Sequence, residues 1–74
     1  MKYLYKETDD GSWHEMNIEM PCTTSDVEVK GLDNSIQEAE IVVEMSGYYI
    51  YFRKGEFQGW GSLNDYSHWR FINN

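Results

Sequence analysis

The sequence has a single cysteine and no long apolar run, and both absences exclude classes of protein. Cys22 alone cannot form an internal disulfide, so we expect a cytoplasmic protein from a reducing compartment rather than a disulfide scaffold. No apolar stretch approaches the roughly 18 residues that a membrane-spanning helix needs. The opening residues, MKYLYKETDD, also lack the apolar core of about 7 residues that is typical of a signal peptide.

Soft metal ligands are also scarce. His14, Cys22 and His68 are the soft ligands of the sequence, and no two of them have the two-to-five-residue spacing that organises zinc sites. We therefore predict no metal and no cofactor, and we interpret Cys22 as a packed or loop thiol. His14 is predicted to be a partly buried histidine that pairs with the carboxylate of Glu7.

Catalytic motifs are absent as well. The sequence contains no P-loop, no G-x-G-x-x-G and no G-x-S-x-G motif, and the acid pairs Asp9-Asp10 and Asp26/Glu28 do not follow the EF-hand pattern. The Gly-Trp-Gly sequence at 59–61 is more typical of small residues beside large aromatics in a strand. We predict that the protein is not an enzyme.

What the sequence does contain is an uneven distribution of charge. Thirteen acidic residues against six basic ones give a formal net charge of −7 in 74 residues. Residues 7–44 hold eleven of the acids and one base, a net charge of −10, whereas nine aromatic residues lie from Tyr48 to Phe71. With 41% hydrophobic and 16% aromatic residues, the chain is typical of one folded domain over residues 1–74. So small a domain has a thin core, which a homodimer would help to stabilise.

Alternation of apolar and polar residues predicts a mostly β fold, a small antiparallel sheet, barrel or sandwich of about six short strands. Asp10-Gly11 lies between the alternating runs KYLYKE and WHEMNIEM and therefore predicts a hairpin. A two-residue loop fixes the register of this hairpin. It pairs Tyr5 with Met16, Tyr3 with Ile18 and Met1 with Met20 on an apolar face, and Lys6 with Glu15 and Lys2 with Glu19 on the other face.

A second group of strands is predicted further along the chain. Residues 26–30 alternate, with Val27 and Val29 directed inward and the charged residues between and beside them directed outward. Ser46-Gly47 is expected to close a hairpin between EAEIVVEM and YYIYFR, and Lys54-Gly55 to turn the chain into EFQGWG. The predicted register of this three-stranded meander pairs Met45 with Tyr48, Val43 with Ile50, Ile41 with Phe52, Glu40 with Arg53 and Phe52 with Phe57.

Two segments also fit a helix. Ser35–Glu38 matches a capping box, so a helix over residues 36–46 that ends near Gly47 is an alternative. The consecutive β-branched residues at 41–43 favour a strand there instead. Ser62–Asp65 predicts a short helical turn within residues 62–67, before a last strand at 68–72.

The charge pattern gives the main functional hypothesis. Acidic residues of the predicted strands and their connecting loop fall on outward positions, and successive outward positions are about 6.6 Å apart. Such an array can imitate the phosphates of a nucleic acid and attract a basic nucleic-acid-binding protein or nuclease. We predict a non-enzymatic inhibitor or regulator that blocks the basic site of this partner and does not itself bind DNA. The predicted partner-binding residues are Asp26, Glu28, Asp33, Glu38, Glu40 and Glu44.

Two alternatives stay open. An aromatic surface can bind single-stranded nucleic acid or a small ligand directly, or form a homodimer interface. The acidic face can also be an ordinary solvated surface of a small interaction subunit. In size and charge alone the chain is similar to small acidic β proteins of phages that inhibit host DNA-binding proteins or nucleases, which implies a host cytoplasm. The predicted aromatic surface consists of Tyr49, Tyr51, Arg53, Trp60 and Trp69.

Overall fold

In the computed structural model, which describes residues 1–72, the chain forms two β-sheets. The larger is a six-stranded antiparallel sheet and the smaller is a pair of parallel strands, so the predicted mostly β fold is confirmed. The strands are β1 (Lys2–Leu4), β2 (His14–Glu15), β3 (Glu19–Pro21), β4 (Ser25–Gly31), β5 (Ile36–Glu44), β6 (Gly47–Phe52), β7 (Gly59–Gly61) and β8 (Tyr66–Phe71). The strand order of the large sheet is β2-β8-β4-β5-β6-β7, and β1 pairs with β3.

Within residues 1–72 the helical elements are two single-turn 3-10 helices, Lys6–Thr8 and Leu63–Asp65. The second begins at Ser62, whose side chain accepts a hydrogen bond from the backbone N–H of Asn64, so the predicted short turn is confirmed. The helix alternative for residues 36–46 is wrong, because this segment supplies β5. Neither helix of this described part of the chain has the length and apolar character needed to cross a membrane.

The core lies between one face of the large sheet and side chains of the N-terminal segment, residues 1–24. Val27 and Val29 of β4 are fully buried, as the alternation predicted. Burial of such side chains contributes about 1.5–3 kcal/mol each. The core is completed by Met16, Met20, Ala39, Ile41, Ile50, Phe52, Trp69 and Phe71.

The predicted N-terminal hairpin is wrong. The strand β1 runs parallel to β3, with Tyr3 beside Met20, and β2 pairs with β8 at the other end of the chain. Four of the six residues of the predicted apolar face are therefore exposed. Met16 and Met20 are buried, whereas Met1, Tyr3, Tyr5 and Ile18 are exposed.

Two turns account for this difference. The carboxylate of Asp9 accepts a hydrogen bond from the backbone N–H of Gly11, and that of Asp10 accepts one from Ser12. These side-chain hydrogen bonds stabilise a local turn that competes with a hairpin. The chain turns again at Asn17, whose φ of 69° lies in the left-handed region that asparagine tolerates. This second turn divides the predicted strand into β2 and β3.

The hairpin of β5 and β6 forms, but its register is displaced by two residues. Glu44 lies opposite Gly47, so Met45 and Ser46 form the turn in place of the predicted Ser46-Gly47. Gly47 has a φ of 138°, a conformation that favours glycine just after the turn. A displacement of two keeps every side chain on its predicted face, so the hydrophobic pattern alone does not distinguish the two registers.

The strand β7 is also displaced by two residues relative to the prediction. Phe52 lies opposite Gly59 rather than Phe57, and residues 53–58 form a longer loop. Gly61 packs under the Phe52 ring, where an added Cβ would lie only 2.6 Å from a ring carbon. The Gly-Trp-Gly sequence is therefore a strand whose small residues lie beside a large aromatic, as predicted.

Candidate functional site

The candidate binding surface is the outer face of the six-stranded sheet, defined as the face that carries the side chains alternating with the core residues. Successive side chains of a strand point to opposite faces. Those of the outer face are exposed or half-buried along β4, β5 and β6. Acidic residues occupy the centre of this face, on β4 and β5, and aromatic residues occupy one end, on β6 and β7.

Two pairs of like charges lie at the centre of the outer face. Asp26 of β4 is directly opposite Glu40 of β5, and Glu28 is directly opposite Glu38. Like charges that face each other across a sheet destabilise it. The fold must therefore offset this repulsion with nearby cations or leave it for a partner to neutralise.

Cations from the C-terminal part of the chain pair with three of these four carboxylates. The ion pairs join Arg70 Nε to Glu28 Oε1 at 2.8 Å, Arg53 Nη2 to Glu40 Oε2 at 2.9 Å, and Lys54 Nζ to Glu38 Oε2 at 3.2 Å. Asp26 forms no ion pair with any described residue. Four carboxylates and three cations give the centre a formal charge of −1, so the acidic residues do not form an uninterrupted polyanion.

The other two predicted acidic residues lie at the ends of β5. Asp33 is in the turn between β4 and β5, where it accepts hydrogen bonds from the backbone N–H and the hydroxyl of Ser35. These hydrogen bonds lower the pKa of the Asp33 carboxyl. Glu44 is exposed beside the turn at the opposite end. The structure thus brings four of the six predicted residues together and separates two.

A groove of about 420 Å³ opens at the acidic centre. Its walls combine negative and positive groups with two aliphatic residues, Ala39 and Ile72. The side chains of its lining include Asp26, Glu38, Glu40, Arg53, Lys54 and Ile72.

The aromatic cluster, formed by Tyr49, Tyr51 and Trp60, lies beside the acidic centre. Tyr51 is opposite Glu40 on β5 and opposite Trp60 on β7. The ring centroids of Tyr51 and Trp60 are 4.9 Å apart and those of Tyr49 and Trp60 are 6.1 Å apart, both edge to face. Trp60 is 59% exposed. Adjacent exposed rings on a small domain are typical of a surface that contacts another molecule.

Trp69 does not belong to this surface, contrary to the sequence-based expectation. It is fully buried in the core, where its indole Nε1–H donates a hydrogen bond to the backbone carbonyl of Glu19 at 2.7 Å. The alternation of β8 directs Arg70 to the outer face and its two neighbours inward. The sequence pattern placed the strand correctly, but the large ring fills the core.

One contact of the outer face was missed by sequence reasoning. Lys30 and Arg70 both lie over the Trp13 ring, with 4.4 Å from the ring centroid to Lys30 Nζ and 4.3 Å to Arg70 Cζ. Trp13 is 17 positions from Lys30 and 57 from Arg70 in the sequence. Local alternation carries no signal for a contact of this kind.

His14 is buried and paired with carboxylates, but Glu7 is not its partner. The nearest carboxylate oxygens belong to Asp9, at 2.6 Å from Nε2, and to Glu19, at 3.2 Å from Nδ1. The predicted character of this histidine is confirmed, and its predicted partner is wrong because the hairpin does not form. Cys22 is a half-buried free thiol directly after β3. Across residues 1–72 no three potential ligand side chains converge on a metal position.

Comparisons of the chain with protein-family models, with curated proteins and with solved structures found no match. No relative therefore suggests a function, and the outer face is the basis of the proposal that follows.

Proposed function

We propose that the protein is a non-enzymatic binding protein that docks a basic partner protein on its outer face. The observation that carries this proposal is a row of four neighbours, Asp26, Glu40, Tyr51 and Trp60, on four adjacent strands. The row places the Glu40 carboxylate directly beside the half-buried Tyr51, and the exposed Trp60 follows on the next strand. Carboxylates attract and orient a cationic surface, while aromatic side chains supply the contact area that excludes water and dominates affinity.

The proposed partner is a nucleic-acid-binding protein or nuclease whose basic site is blocked by this face. A net charge of −7 steers such a protein toward the chain. Arg53 is 65% exposed and Lys54 is 78% exposed, so exchanging these cations for those of a partner costs little. Because ion pairs with the chain's own cations interrupt the acidic residues, we expect the partner to contact a short acidic surface rather than a long array that imitates a phosphate backbone. The aromatic cluster supplies the rest of the interface.

Charge-matched variants test the acidic half of the proposal. The purified protein serves as bait for affinity capture from lysate, at low and at high salt. A captured basic protein is then purified, and its binding to the bait is measured by titration. The double variant Asp26→Asn/Glu38→Gln and the control Glu7→Gln/Asp65→Asn both change the net charge from −7 to −5. We expect the first to weaken binding about tenfold, or about 1.4 kcal/mol, and the control to weaken it much less. Equal weakening by both would show attraction to net charge alone.

The aromatic half is tested with Trp60→Ala. Removing an exposed ring that supplies much of the apolar contact area of an interface is expected to accelerate dissociation by about tenfold or more. Leu32→Ala is the control, because Leu32 is also exposed but lies in the turn after β4. An unchanged dissociation rate for Trp60→Ala would contradict the proposed docking face.

A second candidate function is direct binding of single-stranded nucleic acid or a small ligand by the aromatic cluster. The observation that favours it is Arg53, a largely exposed cation that pairs with Glu40, the residue opposite Tyr51. Stacking of a base on Trp60 would quench its fluorescence, and Trp60→Phe would remove that quenching. Quenching by an oligonucleotide without capture of a basic protein would favour this second function. A concentration-dependent dimer in sedimentation would instead assign the cluster to contact between two copies.

A further inference from the structure

The proposed function leaves unused a buried cluster of three titratable side chains, Asp9, His14 and Glu19. Only 8% of the His14 side chain and 4% of the Asp9 side chain are exposed, and Glu19 is more open at 30%. Both ring nitrogens of His14 face carboxylate oxygens, Nε2 at 2.6 Å from Asp9 and Nδ1 at 3.2 Å from Glu19. This cluster joins the turn at residues 9–12, β2 and β3 at one point.

The number of hydrogens needed by these contacts determines the protonation of the ring. A neutral imidazole has one N–H and one lone pair, so one of the carboxylates would face a lone pair. A proton shared by Asp9 Oδ1 and Nε2 belongs to the ring, because an imidazole is a stronger base than a carboxylate, and the second Asp9 oxygen accepts a hydrogen bond of 2.7 Å from the backbone N–H of Gly11. The doubly protonated ring donates to both carboxylates and balances part of their buried charge.

Aromatic rings of β8 hold His14 in place. Its ring centroid lies 4.9 Å from that of Trp69 and 6.4 Å from that of Phe71. The indole N–H of Trp69 also bonds the backbone carbonyl of Glu19, which fixes β3 over the same position. The imidazole therefore has a carboxylate at each nitrogen and packs against two aromatic rings, a tilted Trp69 and an edge-on Phe71.

The other charged groups near the cluster leave its net charge negative. Hydrogen bonds from Ser12 lower the pKa of Asp10, and the charge of nearby His14 lowers it further. Lys2 of β1 is the cation beside Glu19. On β2 and β8 the neighbouring titratable residues are Glu15 and His68, which lie opposite each other. Asp10 and Glu15 therefore add negative charge around the cluster, and Lys2 adds one positive charge.

We infer that His14 is a proton-dependent latch, an imidazolium that fastens the N-terminal segment to the large sheet. Because the folded chain binds this proton, the latch contributes its full stability at low pH and loses it as rising pH removes the proton. Loss of the proton sets a ring lone pair against a carboxylate. The N-terminal segment over the core then loosens before the large sheet does.

Nitrogen NMR of the wild-type protein tests the protonation directly. We expect both ring nitrogens of His14 to show the shifts of protonated nitrogens in the folded protein at neutral pH. One protonated and one unprotonated nitrogen would overturn the inference. This measurement uses the intact chain and does not depend on whether any variant folds.

Hydrogen exchange tests the latch itself. The amide of Met16 bonds the carbonyl of Ser67 on β8 at 3.0 Å, so its protection reports how firmly β2 is held. After correction for the intrinsic rate, protection of this amide is expected to fall at least tenfold between acidic and alkaline pH in wild type. Glu19→Gln should abolish the fall, because a glutamine amide can donate to a neutral ring, and Glu15→Gln should retain it. An undiminished pH dependence in Glu19→Gln would contradict the latch.

Discussion

The N-terminal segment, residues 1–24, and the sheet-forming segment, residues 25–72, reach their structures in different ways. In the second segment, β4, β5, β6 and β7 are neighbours both in sequence and in the sheet. In the first, β1 pairs in parallel with β3, and β2 pairs with β8 at the far end of the chain. Local alternation predicts antiparallel neighbours joined by short turns, so it described the second segment far better than the first.

The difference shows how a strong hairpin signal can fail. Asp10-Gly11 is a favourable turn sequence, but the carboxylates beside it have other hydrogen-bond partners in the fold. Asp9 in particular binds both the Gly11 amide and the His14 ring. When a turn residue also forms part of a buried polar cluster, tertiary contacts determine its conformation rather than its intrinsic turn preference.

The largest expected effect distinguishes the observed N-terminal pairing from a hairpin. The hairpin directs both Met20 and Ile18 inward, whereas the structure buries Met20 completely and exposes Ile18. Met20→Ala is expected to lower the free energy of unfolding by about 3 kcal/mol through lost burial and a residual cavity. Ile18→Ala is expected to change it by less than about 0.5 kcal/mol. Urea denaturation of the two variants measures both values, and equal losses would support the hairpin.

An intermediate effect is expected in the sheet-forming segment at Gly61. An alanine Cβ at this position would lie 2.6 Å from a ring carbon of Phe52, which is itself buried. We expect Gly61→Ala to cost about 2 kcal/mol of stability through overpacking. The double variant Gly61→Ala/Phe52→Leu should recover part of this loss relative to the sum of the single changes. Strict additivity would show that β7 does not pack as described.

The smallest effect concerns the boundary between the two segments. Burial and the nearby Tyr3 hydroxyl of β1 raise the pKa of Tyr48 above its ordinary value of 10.0. The folded protein therefore keeps this proton more tightly than the unfolded chain. The contribution of this proton to the free energy of unfolding is complete below pH 10 and is lost as the pH rises through the raised pKa.

Thermal unfolding across the alkaline range measures this contribution. The loss of stability above pH 10 is expected to be smaller in Tyr48→Phe than in wild type. Burial likewise raises the pKa of Tyr66, with additional contributions from the charges of Asp65 and Asp33, so Tyr48→Phe/Tyr66→Phe should show the smallest loss. Identical alkaline curves for wild type and both variants would indicate that neither hydroxyl is held as described.

The candidate site was partly predictable because, like the meander, it lies on strands that are neighbours both in sequence and in the sheet. The alternation of β4 and β5 predicted that Glu28, Glu38 and Glu40 share a face with Asp26, and the structure places all four there. The cations that pair with them were not predictable in full. Arg53 was expected beside Glu40, but the pairing of Glu28 with Arg70 joins residues 42 positions apart. Trp69 was misplaced because alternation fixes the relative faces within a strand but not which face meets the core.

The sequence by itself determined a mostly β chain with a negative charge and the face on which most of the sheet's side chains lie. It could do so because successive side chains of any strand point to opposite sides, whatever the strand pairs with. Only the tertiary structure decided the registers, the route of the N-terminal segment and the partners of His14. Those features depend on groups distant in sequence that meet only when the core closes, and on two-residue displacements that leave the local pattern unchanged.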